Sequence, residues 1–325
     1  MAGLGGYAFA QRPSAVAEPV AVDVRATPIA SLSTADPDRR RFGALTFRSG
    51  LDLRAPLAGF GGFSGLARPG DGRRLVALTD NTQWLTANLE SRDGRLVGLS
   101  GAVMAPLLAP DGRLLRRTPY YDTEGLALSG ATAFVSAERR HALLRFDFGR
   151  AGVGARGQFV ALPPEARTLP GNSGIEALGV APPRSPLAGA LVGIAERARD
   201  GDGAPTRGFI LTGPRAGAFE VARSEDFDVT DLAFLPSGEL LILERHFSLL
   251  RGVSARIRRV AAGAIRPGAL VDGPVIYASE PAHQIDNMEG LCVHREGGET
   301  VVTMISDDNF SALQRTLLLE FGLAE

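Results

Sequence analysis

The residues best suited to chemistry in this sequence are carboxylates that recur in pairs. Glu124 stands at the front of one apolar run, DTEGLALSG, and Glu138 at the back of the next, TAFVSAERR. The runs are short, rich in Leu, Ala, Val and Phe, and divided by Ser129-Gly130, which is the pattern of two antiparallel strands joined by a tight turn. Facing positions in a hairpin sum to a constant, so a turn centred near Ala131 sets Glu124 opposite Glu138 at the open end. Carboxylates gathered there could hold a hard cation or work as acid and base.

The same pairing returns along the chain. FSGLA precedes LVALTDN, IEALGV precedes LVGIAER, VTDLAF precedes LLILER, and MEGLCV precedes VVTMISDD. The front positions are Ser64, Glu124, Glu176, Thr230 and Glu289; the back positions are Asp80, Glu138, Glu196, Glu244 and Asp307. Their spacing of about 50 to 60 residues suits a blade of four antiparallel strands better than the shorter solenoid repeats. Dividing 325 residues by that repeat gives six units. The expected fold is therefore all-β, a six-bladed β-propeller closed by N- and C-terminal strands. The sixth blade would be assembled from ALTFRSGLDLRA (44–55) and QRTLLLEFGL (314–323), since closure removes exposed sheet edges. Residues 1–20 are read as a flexible N-terminus or a signal remnant, and 21–325 as a single domain.

In a propeller the innermost strand of each blade lines the central channel. If the EGLA-like runs are innermost, Glu124, Glu176 and Glu289 ring one mouth, and Asp80, Glu138, Glu196, Glu244 and Asp307 form a second circle outside them. Like charges so close must be protonated, paired or metal-bound. Arginine follows the back acid at Arg139, Arg197 and Arg245, where it could pair with neighbouring acids or clamp a phosphate. The other remedy is a hard cation in an all-oxygen cage, calcium in preference to magnesium, with Asn81, Asn287 and Asn309 as neutral donors. Zinc is disfavoured, because His141, His246, His283 and His294 show no ligand spacing and the single Cys292 sits in an apolar run. His246 and His283 lie beside motif acids and are candidates for general acid or base.

GFGGFSGLA with LVALTDN, DTEGLAL with VSAER, IEALGV with IAER, LLILER, and NMEGLCV with ISDDN resemble, in order, the motifs of the family named for the esterase-like activity of phytase, the phytase-like domain proteins. The resemblance runs from about residue 42 to the C-terminus. It implies a propeller in bacterial, often exported, proteins, with acidic residues forming a metal-dependent phosphoesterase site. The front acid is missing at Ser64 and Thr230, so the ring is not fully acidic. On this reading the catalytic candidates are His246, Arg139, Arg197 and Arg245, and the metal candidates Glu124, Glu176, Glu289, Asp307, Asp80, Glu138, Glu196 and Glu244. Two alternatives stand beside the hydrolase: a non-catalytic propeller that binds a cation, a small ligand or a protein, and a calcium-dependent lactonase. Neither GFSGL nor GNSGI completes the G-x-S-x-G nucleophile elbow, which disfavours a serine esterase.

Composition sets the outer bounds. A formal charge of −1 argues against nucleic-acid binding, and no apolar run is long enough to span a membrane. All 35 basic residues are arginine, which excludes Schiff-base chemistry and the Walker lysine. One cysteine permits no intrachain disulfide. The Ala8-Phe9-Ala10 triplet near the start resembles a signal-peptidase site without the basic n-region and long apolar h-region of a full signal, so a periplasmic or secreted location is expected, with the cytoplasm as the alternative. A monomer acting on a small molecule is expected as well.

Overall fold

A computed structural model of the chain describes residues 15–169, 173–197, 203–248 and 252–324. Short antiparallel strands fold consecutively into five sheets arranged as the blades of a propeller. In the first blade Phe63–Ala67 is innermost, followed outward by Arg74–Thr79, Gln83–Arg92, Arg95–Pro106 and Val20–Ala21. The second runs Thr123–Ser129, Thr132–Ala137, Ala142–Asp147 and Gln158–Val160. The third runs Ile175–Val180, Leu191–Ala195, Thr206–Ile210 and Gly217–Val221, with Leu270–Val271 added in parallel at its edge. The fourth runs Asp228–Phe234, Leu240–Ser248, Gly252–Val260 and Val275–Ala278.

The fifth blade joins the two ends of the chain. Asn287–Glu296, Glu299–Asp307 and Thr316–Leu323 are followed by the N-terminal strands Leu45–Arg54 and Arg25–Ile29, with Leu319 opposite Gly50. The expected closure is present, but there are five blades rather than six. Dividing the whole length by the repeat counted the N-terminal stretch as a separate unit. Instead, the last hairpin has only one strand left after it, and the N-terminal strands complete that same blade. Of the flexible N-terminus or signal remnant expected at residues 1–20, 1–14 lie outside the described residues, whereas Ala15 is buried and Val16 donates its amide to Gln83 Oε1 at 3.1 Å.

The blades are held by apolar faces pressed together. Between the third and fourth, Val192, Ile210, Val221, Leu240, Ile242 and Val260 are all fully buried. Trp84 of the first blade is sealed against Phe146 of the second, ring centroids 5.3 Å apart. Each such side chain contributes roughly 1.5–3 kcal/mol by leaving water. The outcome is a rigid ring whose five innermost strands start at one mouth.

Candidate functional site

Every innermost strand carries a β-bulge near its start, and the extra residue is the front position of the repeat. Phe63 pairs with Thr79 and Gly65 with Leu78, leaving Ser64 unmatched. The same slip leaves over Glu176, Thr230 and Glu289. In the second blade Glu124 and Gly125 together face Ser136. A bulge turns one side chain out of the alternating pattern and re-aims it, so five blades present five residues at the same mouth.

The residue after the bulge shows how close the strands approach there. A Cβ on Gly125 would lie 2.4 Å from the Glu176 carbonyl oxygen, and one on Gly65 2.7 Å from Leu126 Cβ. The recurring Glu-Gly pair therefore has two causes: the acid occupies the bulge, and glycine lets the next blade come near. Where the acid is absent, a small hydroxyl joins blades instead. Ser64 Oγ donates to the Thr123 carbonyl at 2.9 Å, and Thr230 Oγ1 to that of Met288 at 3.1 Å.

The register also fixes the second circle. One residue beyond the partner of the residue on the mouth side of each bulge stand Asp80, Glu138, Glu196, Arg245 and Asp307, the fourth and fifth blades extending their pairing to include Arg245 and Asp307. Matching acid to acid along the sequence assigned Glu244 to this circle, but Glu244 pairs with Val229 and is fully buried, held by Arg256 at 2.8 Å and Arg258 at 2.7 Å. Strand alternation puts His246 on the same side as Glu244, its ring 5.5 Å from Phe227 and off the circle. His283 accepts the Glu280 amide and packs edge-on against Phe42, so it too is engaged elsewhere. The turn lies half a residue earlier than Ala131 and the bulge adds one more residue, which together displace the hairpin arithmetic by two: Glu138 donates its amide to the Asp122 carbonyl and faces Asp122, not Glu124.

The acids that remain crowd together, most closely between the second and third blades. One carboxylate oxygen each from Glu138, Glu176 and Glu196 lies within 4.8 Å of the other two. The carboxyls of Glu138 and Glu176 lie close enough to share a proton. Burial, followed by repulsion from Glu176, Asp122, Asp80 and Glu138, holds Glu124 well above the usual carboxylate range. Burial and then Glu196, Glu138 and Glu289 do the same to Glu176. Glu289 is pushed up to about 7 by burial, with Arg245 opposing. Asp307 is raised by burial and by Asp80 and Glu289, and Glu138 and Glu196 are raised chiefly by burial. These directions describe a site that resists carrying its full negative charge alone.

Arginines relieve part of this charge. Arg245 Nε lies 3.1 Å from Glu289 and its Nη2 3.7 Å from Glu196. Arg197 pairs with Asp228 at 2.8 Å and Glu196 at 3.3 Å, and Arg139 with Asp122 at 2.6 Å. Asp122 and Asp228, each two residues before the bulge residue of its strand, are thus neighbours of the site that sequence reasoning passed over. So is Asp231, which stands where three other blades have glycine. It is fully buried and accepts the amides of Leu291 at 2.6 Å and Leu232 at 2.8 Å, tying the fourth blade to the fifth. Aligning the repeats by the bulge rather than by the acids would have found it. Asn287 is buried and hydrogen-bonds Glu289, while Asn309 donates its amide to Asp307 at 2.6 Å.

The model of the phytase-like family, described by its esterase-like activity of phytase, matches residues 58–310. No curated protein matches the chain. Among solved structures, one from a nidogen/laminin complex is 13% identical, covering 81% of this chain and 87% of that one at a TM-score of 0.40. The glutaminyl cyclase of Myxococcus xanthus is 14% identical, covering 82% and 92% at a TM-score of 0.40.

Proposed function

From the premise that this chain belongs to the phytase-like family, we propose that it binds a hard divalent cation, calcium by its donor set, at the acidic mouth and hydrolyses phosphate esters there. The observation that carries this reading is the convergence of Glu138, Glu176 and Glu196 oxygens within 4.8 Å. All are oxygen ligands, the Glu138 and Glu176 carboxyls are close enough to share a proton, and Glu124 of the second blade and Glu289 of the fifth interact electrostatically with Glu176. Such a cluster fits a calcium-type cage. Bound there, the cation would supply polarisation of a phosphoryl oxygen and activation of water.

The chain's own residues supply the rest of the scheme. Arg245, half-buried beside Glu289, presents its guanidinium to the mouth and would orient an anionic group. The partly exposed Arg197 and Arg139 stand behind it, 52% and 42% accessible, within reach of an entering phosphate. The inner carboxyls, raised by burial, can hold a proton near neutrality and deliver it to a leaving oxygen. The substrate is proposed to be a small phosphorylated molecule, met by a monomer in the periplasm or outside the cell.

A second reading draws on one observation: all three arginines already have carboxylate partners. On that reading the mouth binds a cation without turning anything over. Chelator-treated protein, assayed on phosphomonoesters, phosphodiesters and lactones with and without calcium, separates the two. Calcium-dependent phosphoester turnover that is lost in Glu176→Gln supports the hydrolase; calcium binding without turnover refutes it and leaves the binding module.

A further inference from the structure

The far end of the fifth blade holds a second set of metal-ligand types, well down the strands from the acidic mouth. His294 and Glu296 lie two residues apart on the innermost strand, so the period of two puts both side chains on one face. Glu320, on the third strand of the blade, faces the same way through its pairing with Thr303, which pairs with Cys292. One ring nitrogen of His294 and one carboxylate oxygen each from Glu296 and Glu320 lie within 4.8 Å of one another.

The independent sign of a ligand is the histidine itself. His294 is only 6% accessible, and among the described residues neither Nδ1 nor Nε2 has a hydrogen-bond partner. Gly72 of the first blade closes over the ring so tightly that a Cβ there would lie 2.1 Å from His294 Cδ2. Water does not reach either nitrogen, and native proteins seldom leave such groups unsatisfied.

We propose that His294, Glu296 and Glu320 form a second metal site, separate from the acidic mouth, that takes a divalent transition metal such as zinc. One imidazole nitrogen with two carboxylates suits zinc or its neighbours better than calcium, whose ligands are oxygens. The carboxylates are fixed from outside by arginine, as ligating carboxylates commonly are. Glu320 Oε1 accepts from Arg68 at 2.7 Å and Oε2 from Ser49 Oγ at 3.3 Å, while Arg48 reaches Glu296, Glu299 and Glu320. Three glutamates against two arginines leave one negative charge for the metal to offset. The site links the first and third strands of the blade that closes the ring. The sequence hid it because two ligands are adjacent on one strand and the third comes from the next strand but one.

The test uses the full-length chain with Glu176→Gln at the mouth, so that binding there does not contribute. Stripped of metal and held in millimolar calcium, it is titrated with cobalt while visible absorption is followed, and then with zinc while the thermal midpoint is read. The expected result is a cobalt band that saturates at one equivalent and a zinc-dependent rise in midpoint. Both should weaken at least tenfold in affinity on adding His294→Gln, and again on adding Glu296→Gln, whose side chain is exposed enough to spare the fold. Absence of a saturating band, or a band unchanged by His294→Gln, overturns the proposal and leaves the calcium reading of the mouth intact.

Discussion

Glu289 offers the clearest measurement of whether the mouth is strained by its own charge. Its carboxyl is pushed up to about 7 from an ordinary 4.5, first by burial. The native state therefore binds this proton more tightly than the unfolded chain does. The stability it confers is complete below about pH 4.5 and is lost as pH rises through about 7. A shift of about 2.5 units is worth about 3 kcal/mol over the whole range, of which about 2.5 kcal/mol falls between pH 5 and pH 8. With an unfolding entropy of roughly 2.1 cal/mol/K per residue, a 325-residue chain loses about 4 °C in Tm for that amount.

The half-buried His141 and the buried His283 and His294 have lowered pKa values and act in the opposite sense, gaining stability as pH rises towards 6.5. The quantity to record is thus the Tm of Glu289→Gln minus that of wild type, both in chelator, so that the histidines cancel. Glutamine cannot ionise, and Arg245 keeps Glu196 at 3.7 Å. The difference should grow by about 4 °C from pH 5 to pH 8 and collapse in saturating calcium, which supplies the missing positive charge. A difference that stays flat or shrinks with pH would refute the claim that burial governs this carboxyl.

Three other substitutions probe the same architecture. Glu244→Gln should leave calcium affinity unchanged while costing about 3–5 kcal/mol in denaturant unfolding, because Arg256 and Arg258 lose their buried partner; a loss of calcium binding would return Glu244 to the mouth. Gly125→Ala should cost about 1–3 kcal/mol by overpacking against the Glu176 carbonyl, visible as a lower urea midpoint. Arg245→Met should raise calcium affinity about tenfold in a calorimetric titration by removing a competing cation, whose pairing with Glu289 and Glu196 is worth about 1–2 kcal/mol in this half-buried setting.

How much of this was legible in the sequence depended on which feature carried the signal. Hairpins and their repeat could be read from apolar runs and turn residues, because local pairing leaves a local pattern. The closing partnership of residues 45–54 with 316–323 was foreseen, but the number of blades was not, since 318–323 also pairs with 300–305 and so belongs to the blade of the last hairpin, a contact with no trace in spacing. The front acids were found because each bulge residue sits beside an apolar run with glycine or alanine next to it. The second circle was misread in the fourth blade because LLILER offers an acid and an arginine side by side, and only the pairing of Val229 with Glu244 shows which faces the channel. His294 and Glu320 stayed hidden because their meeting depends on strand order within one blade.

The bulge is what makes one mouth of this ring chemically different from an ordinary strand end. It aims a side chain inward from every blade regardless of identity, so the choice of residue decides what each blade contributes. Serine and threonine at the first and fourth blades bond to the neighbouring backbone at 2.9 and 3.1 Å and add no charge. Glutamate at the second, third and fifth adds charge and gives up that contact. Because Arg245 takes the place of an acid in the fourth blade's second circle, the negative charge is densest between the second and third blades, around Glu138, Glu176 and Glu196. A fivefold frame thus acquires a direction, with the acid cluster toward the second and third blades and the Arg245 guanidinium at its edge, 3.7 Å from Glu196. That polarity is what an anionic substrate held against a metal would need, and it would not arise from five identical repeats.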